Sequence, residues 1–99
     1  MIDNFETLSN GIIAQASNDY IKASVNLRLY KKRPDSEKYM AADKMMDDVV
    51  EFFRSEYFLY LAPDGIDVDK FLDMLDKQSD IEYSKELKRL AEKFKSKNN

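Results

Sequence analysis

Carboxylates are the chemistry this chain carries in quantity, with 19 Asp and Glu residues among 99. Histidine and cysteine are both absent. That removes the commonest general base, the commonest transition-metal ligand and the thiolate nucleophile. Ser-His-Asp triads, histidine or cysteine zinc sites and disulfides are therefore excluded. Paired carboxylates abound, but none sits in a recognisable catalytic motif, and no glycine-rich phosphate loop is present. The expectation is a non-enzymatic protein with no cofactor and no metal.

The closest approach to a metal motif is Asp64, Asp67 and Asp69 around Gly65. A calcium loop needs alternating oxygen ligands, a glycine at a fixed turn and a closing bidentate Glu. Here the glycine follows the first Asp directly and no Glu closes the loop. A turn followed by a helix cap accounts for the same residues.

A denser set lies at Asp43, Asp47, Asp48 and Glu51, one face of an expected helix, with Asp73 and Asp76 extending the acidity onto the next. Such a surface can imitate nucleic-acid phosphates and dock in the basic groove of a protein that handles DNA or RNA. The plainer reading is a solvated helix face. Tyr57, Tyr60 and Tyr30 are candidate interface aromatics, since tyrosine is enriched in binding hot spots, although rings at helical spacing more often fill a core. Rings in excess of what the core holds would mark a partner site, a homodimer included. Two basic groups offer phosphate binding instead: Arg28, Lys31, Lys32 and Arg33, and Lys85, Lys88, Arg89, Lys93, Lys95 and Lys97. They serve equally as complements to helix dipoles and to the acidic middle of the chain.

Charge is segregated along the sequence. Residues 1–33 hold five basic and three acidic groups, residues 34–82 five and fourteen, and residues 83–99 six and two. The overall net charge is −3. Asymmetry of this kind bears on partners and solubility rather than on fold.

The elements that must position these groups are helices. Val49–Leu61 holds five of the twelve aromatic residues, Phe52, Phe53, Tyr57, Phe58 and Tyr60, and is the expected centre of the core. A lead-in over 1–9, with an Asp3–Glu6 capping box and Phe5 and Leu8 packing on the body, precedes a helix capped by Asn10. That helix has Ile12, Ile13, Ala16, Tyr20, Ala23, Leu27 and Tyr30 on one face, Lys31, Lys32 and Arg33 in its last turn, and Pro34 as its stop. Asp35 or Ser36 caps a second helix with Tyr39, Ala42, Met45, Met46, Val49, Phe52 and Phe53 on its apolar side. Either that helix runs to Leu61 or Ser55 caps a separate short one; the break is preferred, because it lets two faces of an apolar segment reach the core. A lone strand at Tyr57–Leu61 is the competing structure.

Pro63-Asp64-Gly65 reads as a turn, and Asp67 caps a helix with Val68, Phe71, Leu72 and Leu75 on its apolar side. Gln78-Ser79-Asp80 reads as a connector to a last helix bearing Tyr83, Leu87, Leu90, Ala91 and Phe94, frayed from Lys95 to Asn99. The layout predicts a single all-α domain over 1–99, a compact bundle of four to five helices. The amino terminus lacks the pattern of a signal peptide and no apolar run spans a bilayer, so a soluble cytoplasmic protein without membrane contact is expected.

The segments Asn10-Gly-Ile-Ile-Ala-Gln-Ala-Ser-Asn-Asp-Tyr and Phe52-Phe-Arg-Ser-Glu-Tyr-Phe, with Leu61, Asp64-Gly65 and Phe71-Leu72 after them, carry a resemblance. The chain resembles a family of small uncharacterised proteins from bacteriophages, prophages and conjugative elements of Gram-positive bacteria. The resemblance covers about residues 10–75 and leaves the tail from Asp80 outside it. It implies a mobile-element origin within a bacterial host, and supplies no activity and no catalytic residues. Together these readings lead to the expectation of an accessory protein that binds a host or phage protein. Such a partner would be a nucleic-acid enzyme or defence nuclease, inhibited through the acidic face. Direct nucleic-acid binding by the carboxy-terminal lysines and a purely structural, oligomerising helical module are the alternatives.

Overall fold

The structure, a computed structural model, describes residues 8–97. Four helices account for nearly all of them: α1 (Leu8–Leu29), α2 (Glu37–Phe53), α3 (Glu56–Leu61) and α4 (Val68–Lys97). No strand occurs among the described residues, and Tyr57–Leu61 is helical. Of the expected lead-in over 1–9, residues 1–7 with the Asp3–Glu6 box lie outside the described residues, while Leu8 and Ser9 belong to α1.

α1 begins at Leu8, so Asn10 stands inside the helix and does not cap it. At its other end the helix stops at Leu29, earlier than expected. Pro34 has no N–H to give the carbonyl of Tyr30, and its ring would clash there in a continuing helix. Arg33 N donates to that carbonyl instead at 2.8 Å, and Ser36 N then donates to Arg33 at 3.0 Å. Lys31, Lys32 and Arg33 consequently lie in successive turns, leaving Arg28 as the basic residue of the last helical turn.

Ser36 opens α2, its hydroxyl accepting from Tyr39 N at 3.2 Å. The helix runs back along α1 and buries Ala42, Val49 and Phe53. Its end is set by Ser55, whose hydroxyl donates to the carbonyl of Phe52 at 2.6 Å and accepts from Phe58 N at 3.2 Å. One side chain thereby closes α2 and caps α3. The corner turns Phe53 and Phe58 inward together, both fully buried.

Gly65 has φ +79°, a left-handed conformation that ordinary side chains rarely adopt, and nothing crowds its α-carbon. Conformation, not space, requires glycine in that turn. Asp67 then caps α4 by accepting from Lys70 N at 3.1 Å.

From there α4 runs unbroken for 30 residues, where the sequence suggested a connector at Gln78-Ser79-Asp80 and two helices. The stretch contains no glycine or proline, and Ser79 is fully buried with its hydroxyl donating to the carbonyl of Leu75 at 2.8 Å. A serine that bonds back within its own helix leaves nothing unsatisfied and need not end it. Ser17 of α1 does the same toward Ile13 at 2.8 Å. The helix persists through Lys97, past the expected fraying point at Lys95.

α1 is the shared neighbour, packing against α2 and α4 and touching α3. Tyr20 of α1 meets Asp76 and Arg28 meets Asp80, so α1 and α4 run in the same direction. The core joins Ile13, Tyr20, Val49, Phe53, Phe58, Ala62, Phe71, Leu72 and Leu75. Phe53 is its hub. Its ring centroid lies 6.4 Å from Tyr20, 5.3 Å from Phe52, 5.1 Å from Phe58 and 5.4 Å from Phe71. These are edge-on and tilted contacts of the kind aromatic quadrupoles favour.

Phe53→Ala is expected to cost about 3–5 kcal/mol in urea or thermal unfolding. Tyr60→Ala, on the same segment but with its ring in solvent, is expected to change stability by less than about 0.5 kcal/mol.

Candidate functional site

The outer side of α2 carries the acidic residues. Ala42, Val49 and Phe53 define its buried stripe, and Asp43, Asp47, Asp48 and Glu51 are all exposed away from it. Asp48 pairs with Lys44 at 3.4 Å, one turn away. Asp43, Asp47 and Glu51 enter no ion pair among the described residues. At four-residue steps they form a row with carboxylates about 6 Å apart along the helix axis. Their folded-state neighbours therefore leave this charge available to an outside cation.

Beyond the row the chain turns into α3, which exposes Tyr57, Leu59 and Tyr60, the last at 83%. The ring-rich segment is thus divided. Phe53 and Phe58 are buried and Phe52 half-buried, while Tyr57 leans its edge on Phe52 at 6.1 Å and Tyr60 stands in water. Tyr30 is half-buried with Lys38 over its ring at 5.8 Å.

Asp73 and Asp76 do not join the α2 row; both lie around the hydroxyl of Tyr20, on the flank where α4 meets α1. Tyr20 donates to the Asp76 carboxylate at 2.5 Å. Burial, then this hydrogen bond and the negative field of Asp76 and Asp73, push the phenol well above its ordinary value of 10.0. Asp76 is thus a tether between helices. Sequence spacing placed it on an acidic face but held no sign of Tyr20, 56 residues away.

The residues around Gly65 divide similarly. Asp67 caps α4 and Asp69 pairs with Arg54 at 3.2 Å, joining the end of α2 to the start of α4. No group of three acidic side chains among the described residues could hold a metal ion.

On α4, Lys85 pairs with Glu82 at 3.5 Å, and Arg89 grips Glu86 through two bonds of 2.6 and 2.8 Å. Those bonds hold the Glu86 carboxyl below its usual range and raise the Arg89 guanidinium in turn. Lys88, Lys93 and Lys95 are exposed and enter no ion pair among the described residues. Two of the proposed cations, Lys85 and Arg89, are therefore neutralised within their own helix.

One feature escaped the sequence: an open groove of about 660 Å³ between α1 and α4, lined by Asn18, Ile21, Val25, Met74, Gln78 and others. Its α4 wall passes through the expected connector, so no spacing rule applied across a presumed break would reveal it. Gln78 donates its amide to Glu82 at 3.1 Å. No helix among the described residues is long and apolar enough to cross a membrane.

Compared with known protein families, with curated proteins and with solved structures, the chain has no match.

The Tyr20–Asp76 tether makes a pH prediction. The fold holds the phenol neutral, whereas the unfolded chain ionises it near pH 10. Its contribution is complete below that pH and is lost as pH rises toward the higher folded value. Tyr20→Phe is expected to lower stability at neutral pH by about 1 kcal/mol and to flatten the decline above about pH 10, as followed by unfolding at a series of pH values.

Proposed function

We propose that this chain is a non-catalytic binding module of a phage or mobile element. It would act by docking the outer side of α2 on a basic groove of another protein. The observation that carries the reading is the row Asp43, Asp47 and Glu51, exposed and without a cationic partner among the described residues, leading to the exposed rings of α3. A regular line of carboxylates offers the charge pattern of a nucleic-acid strand to a surface built to receive one. Tyr57 and Tyr60 supply the amphipathic anchors that such an interface needs at its centre. A protein that handles nucleic acid, a host defence nuclease among them, is the partner chemistry this pattern fits, and occupying its groove would inhibit it. The mobile-element origin rests on the resemblance over residues 10–75.

Direct nucleic-acid binding is the weaker reading. Its residues are Lys85, Lys88, Arg89, Lys93 and Lys95, of which Lys85 and Arg89 already serve Glu82 and Glu86.

The test is capture from a bacterial host lysate by the tagged chain beside the variant D43K/D47K/E51K. The captured protein is expected to be lost with the variant and to elute at raised salt, while circular dichroism shows unchanged helix content. Tyr57→Ala with Tyr60→Ala is expected to weaken capture at least about tenfold. Capture indifferent to charge reversal would end this reading. A DNA mobility shift abolished by replacing Lys88, Lys93 and Lys95 would favour the other.

A further inference from the structure

The groove between α1 and α4 is lined by those two helices alone. Its apolar side chains are Ile21 and Val25 of α1, both half-buried, and Leu75 and Met74 of α4, the first buried and the second 46% exposed. Ile81, 50% exposed, lies two turns beyond Met74 on the same side of α4. The α4 wall from Met74 to Glu86 runs about 18 Å, and the α1 wall from Asn18 to Asn26 about 12 Å. About two to three turns of helix match that length. The groove is open along its side. A compact small molecule would keep much of its surface in water there, whereas pockets for such ligands cover about 70–90% of them.

The uncompensated charge at the lips of this groove is of one sign. Lys22 stands on the α1 lip, exposed and without an ion pair among the described residues. Lys70 and Lys77 neighbour Met74 at one-turn spacing, and Lys77 neighbours Ile81 in the same way. Both are exposed, and neither enters an ion pair among the described residues. The carboxylates within the groove are already answered: Glu82 accepts from Gln78 and pairs with Lys85, and Glu86 accepts from Arg89. Asp73 and Asp76 lie on the other flank of α4, around Tyr20. An apolar floor between cationic lips is complementary to an apolar stripe between carboxylates.

We propose that this groove receives an acidic amphipathic helix of another protein, laid antiparallel to α1 and α4. Its apolar residues, at steps of three and four, sit over Ile21, Val25 and Met74, with Asp or Glu on both flanks against Lys22 and Lys77. The bundle sets the direction. α2 runs back along α1, but α4 parallels α1, its main neighbour, so an antiparallel helix in the groove offsets the dipoles of both walls. A second copy of this chain is the wrong occupant. Groove against groove would set lysine lips against lysine lips, and the outer side of α2, though acidic, carries a single large apolar residue, Met40. A nucleic-acid strand fits no better, because the surface between the lips is aliphatic and offers its bases no ring to stack on. This surface is separate from the outer side of α2, and its test is independent of partner capture.

The probe is a synthetic fluorescein-labelled helical peptide with leucine at steps of three and four, glutamate on both flanks of that stripe and alanine elsewhere. In its control peptide lysine replaces glutamate. By fluorescence anisotropy the full chain is expected to bind the glutamate peptide with Kd below about 50 µM, and the lysine peptide at least about tenfold more weakly. M74Q/I81Q replaces exposed side chains, so circular dichroism is expected to stay unchanged while affinity for the glutamate peptide falls at least about tenfold. K22E/K77E is expected to weaken the glutamate peptide about tenfold and to strengthen the lysine peptide. The chain has no cysteine, so M74C reports direction. Met74 lies toward the amino-terminal end of the α4 wall, and under mild oxidation M74C is expected to bond a cysteine at the carboxy end of the peptide in preference to one at its amino end. No binding of the glutamate peptide at about 200 µM chain, binding indifferent to M74Q/I81Q, preference for the lysine peptide, or preferential bonding to the amino end overturns the proposal. Binding of oleate that is lost with M74Q/I81Q, in the absence of peptide binding, would overturn it in favour of an acyl chain.

Discussion

One phenyl ring holds this fold together. Phe53 contacts rings from α1, α3 and α4 as well as its own neighbour in α2, and is fully buried. A chain of this size can bury enough apolar surface without disulfides or metals in several ways. Concentrating aromatic area at a corner is one of them, since each ring both excludes water and meets others edge-on. The corner exists because Ser55 ends one helix and begins another with a single hydroxyl. Without that break, Phe53 and Phe58 could not face the same interior, and α3 would not exist as a separate element.

What the sequence made legible was what depends on neighbours within three or four residues. Ser36, Ser55 and Asp67 cap helices through side chains that reach a backbone N–H three positions on. The Pro63-Asp64-Gly65 turn is equally local. Misread features depend on distant partners. Ser79 can cap or back-bond with equal chemistry, and burial on a long helix beside α1 decides between the two. The early end of α1 turns on which donor takes the Tyr30 carbonyl once Pro34 withdraws its own. For the candidate site, exposure of Asp43, Asp47, Asp48 and Glu51 followed from helical period. The diversion of Asp76 to Tyr20 did not, because helix period carries no information about which side chain a neighbouring helix presents.

The charge segregation of the sequence becomes spatial in an uneven way. Several acidic groups in the middle of the chain are absorbed by long-range contacts: Asp69 by Arg54, Asp80 by Arg28, Asp76 by Tyr20. The two ion pairs lie largely in solvent, where each adds little to stability, but with the part-buried Tyr20–Asp76 bond they fix how α4 lies against the rest. The row on α2 is spared such use. Toward the end of α4 the cations are partly cancelled within the helix by Glu82 and Glu86. The molecule therefore presents an anionic surface beside exposed tyrosines.

The unbroken passage of α4 through Ser79 has a mechanical meaning. A helix without glycine, proline or a loop in its span transmits rotation as a stiff rod, and this one starts at the ring cluster and runs on well past Tyr83. A tilt of about 10° at that cluster would swing the far end of this arm, about 39 Å on, through roughly 7 Å. Whatever settles against that arm can thus be felt at Phe71, and a shift of Phe71 against Phe53 can swing the arm.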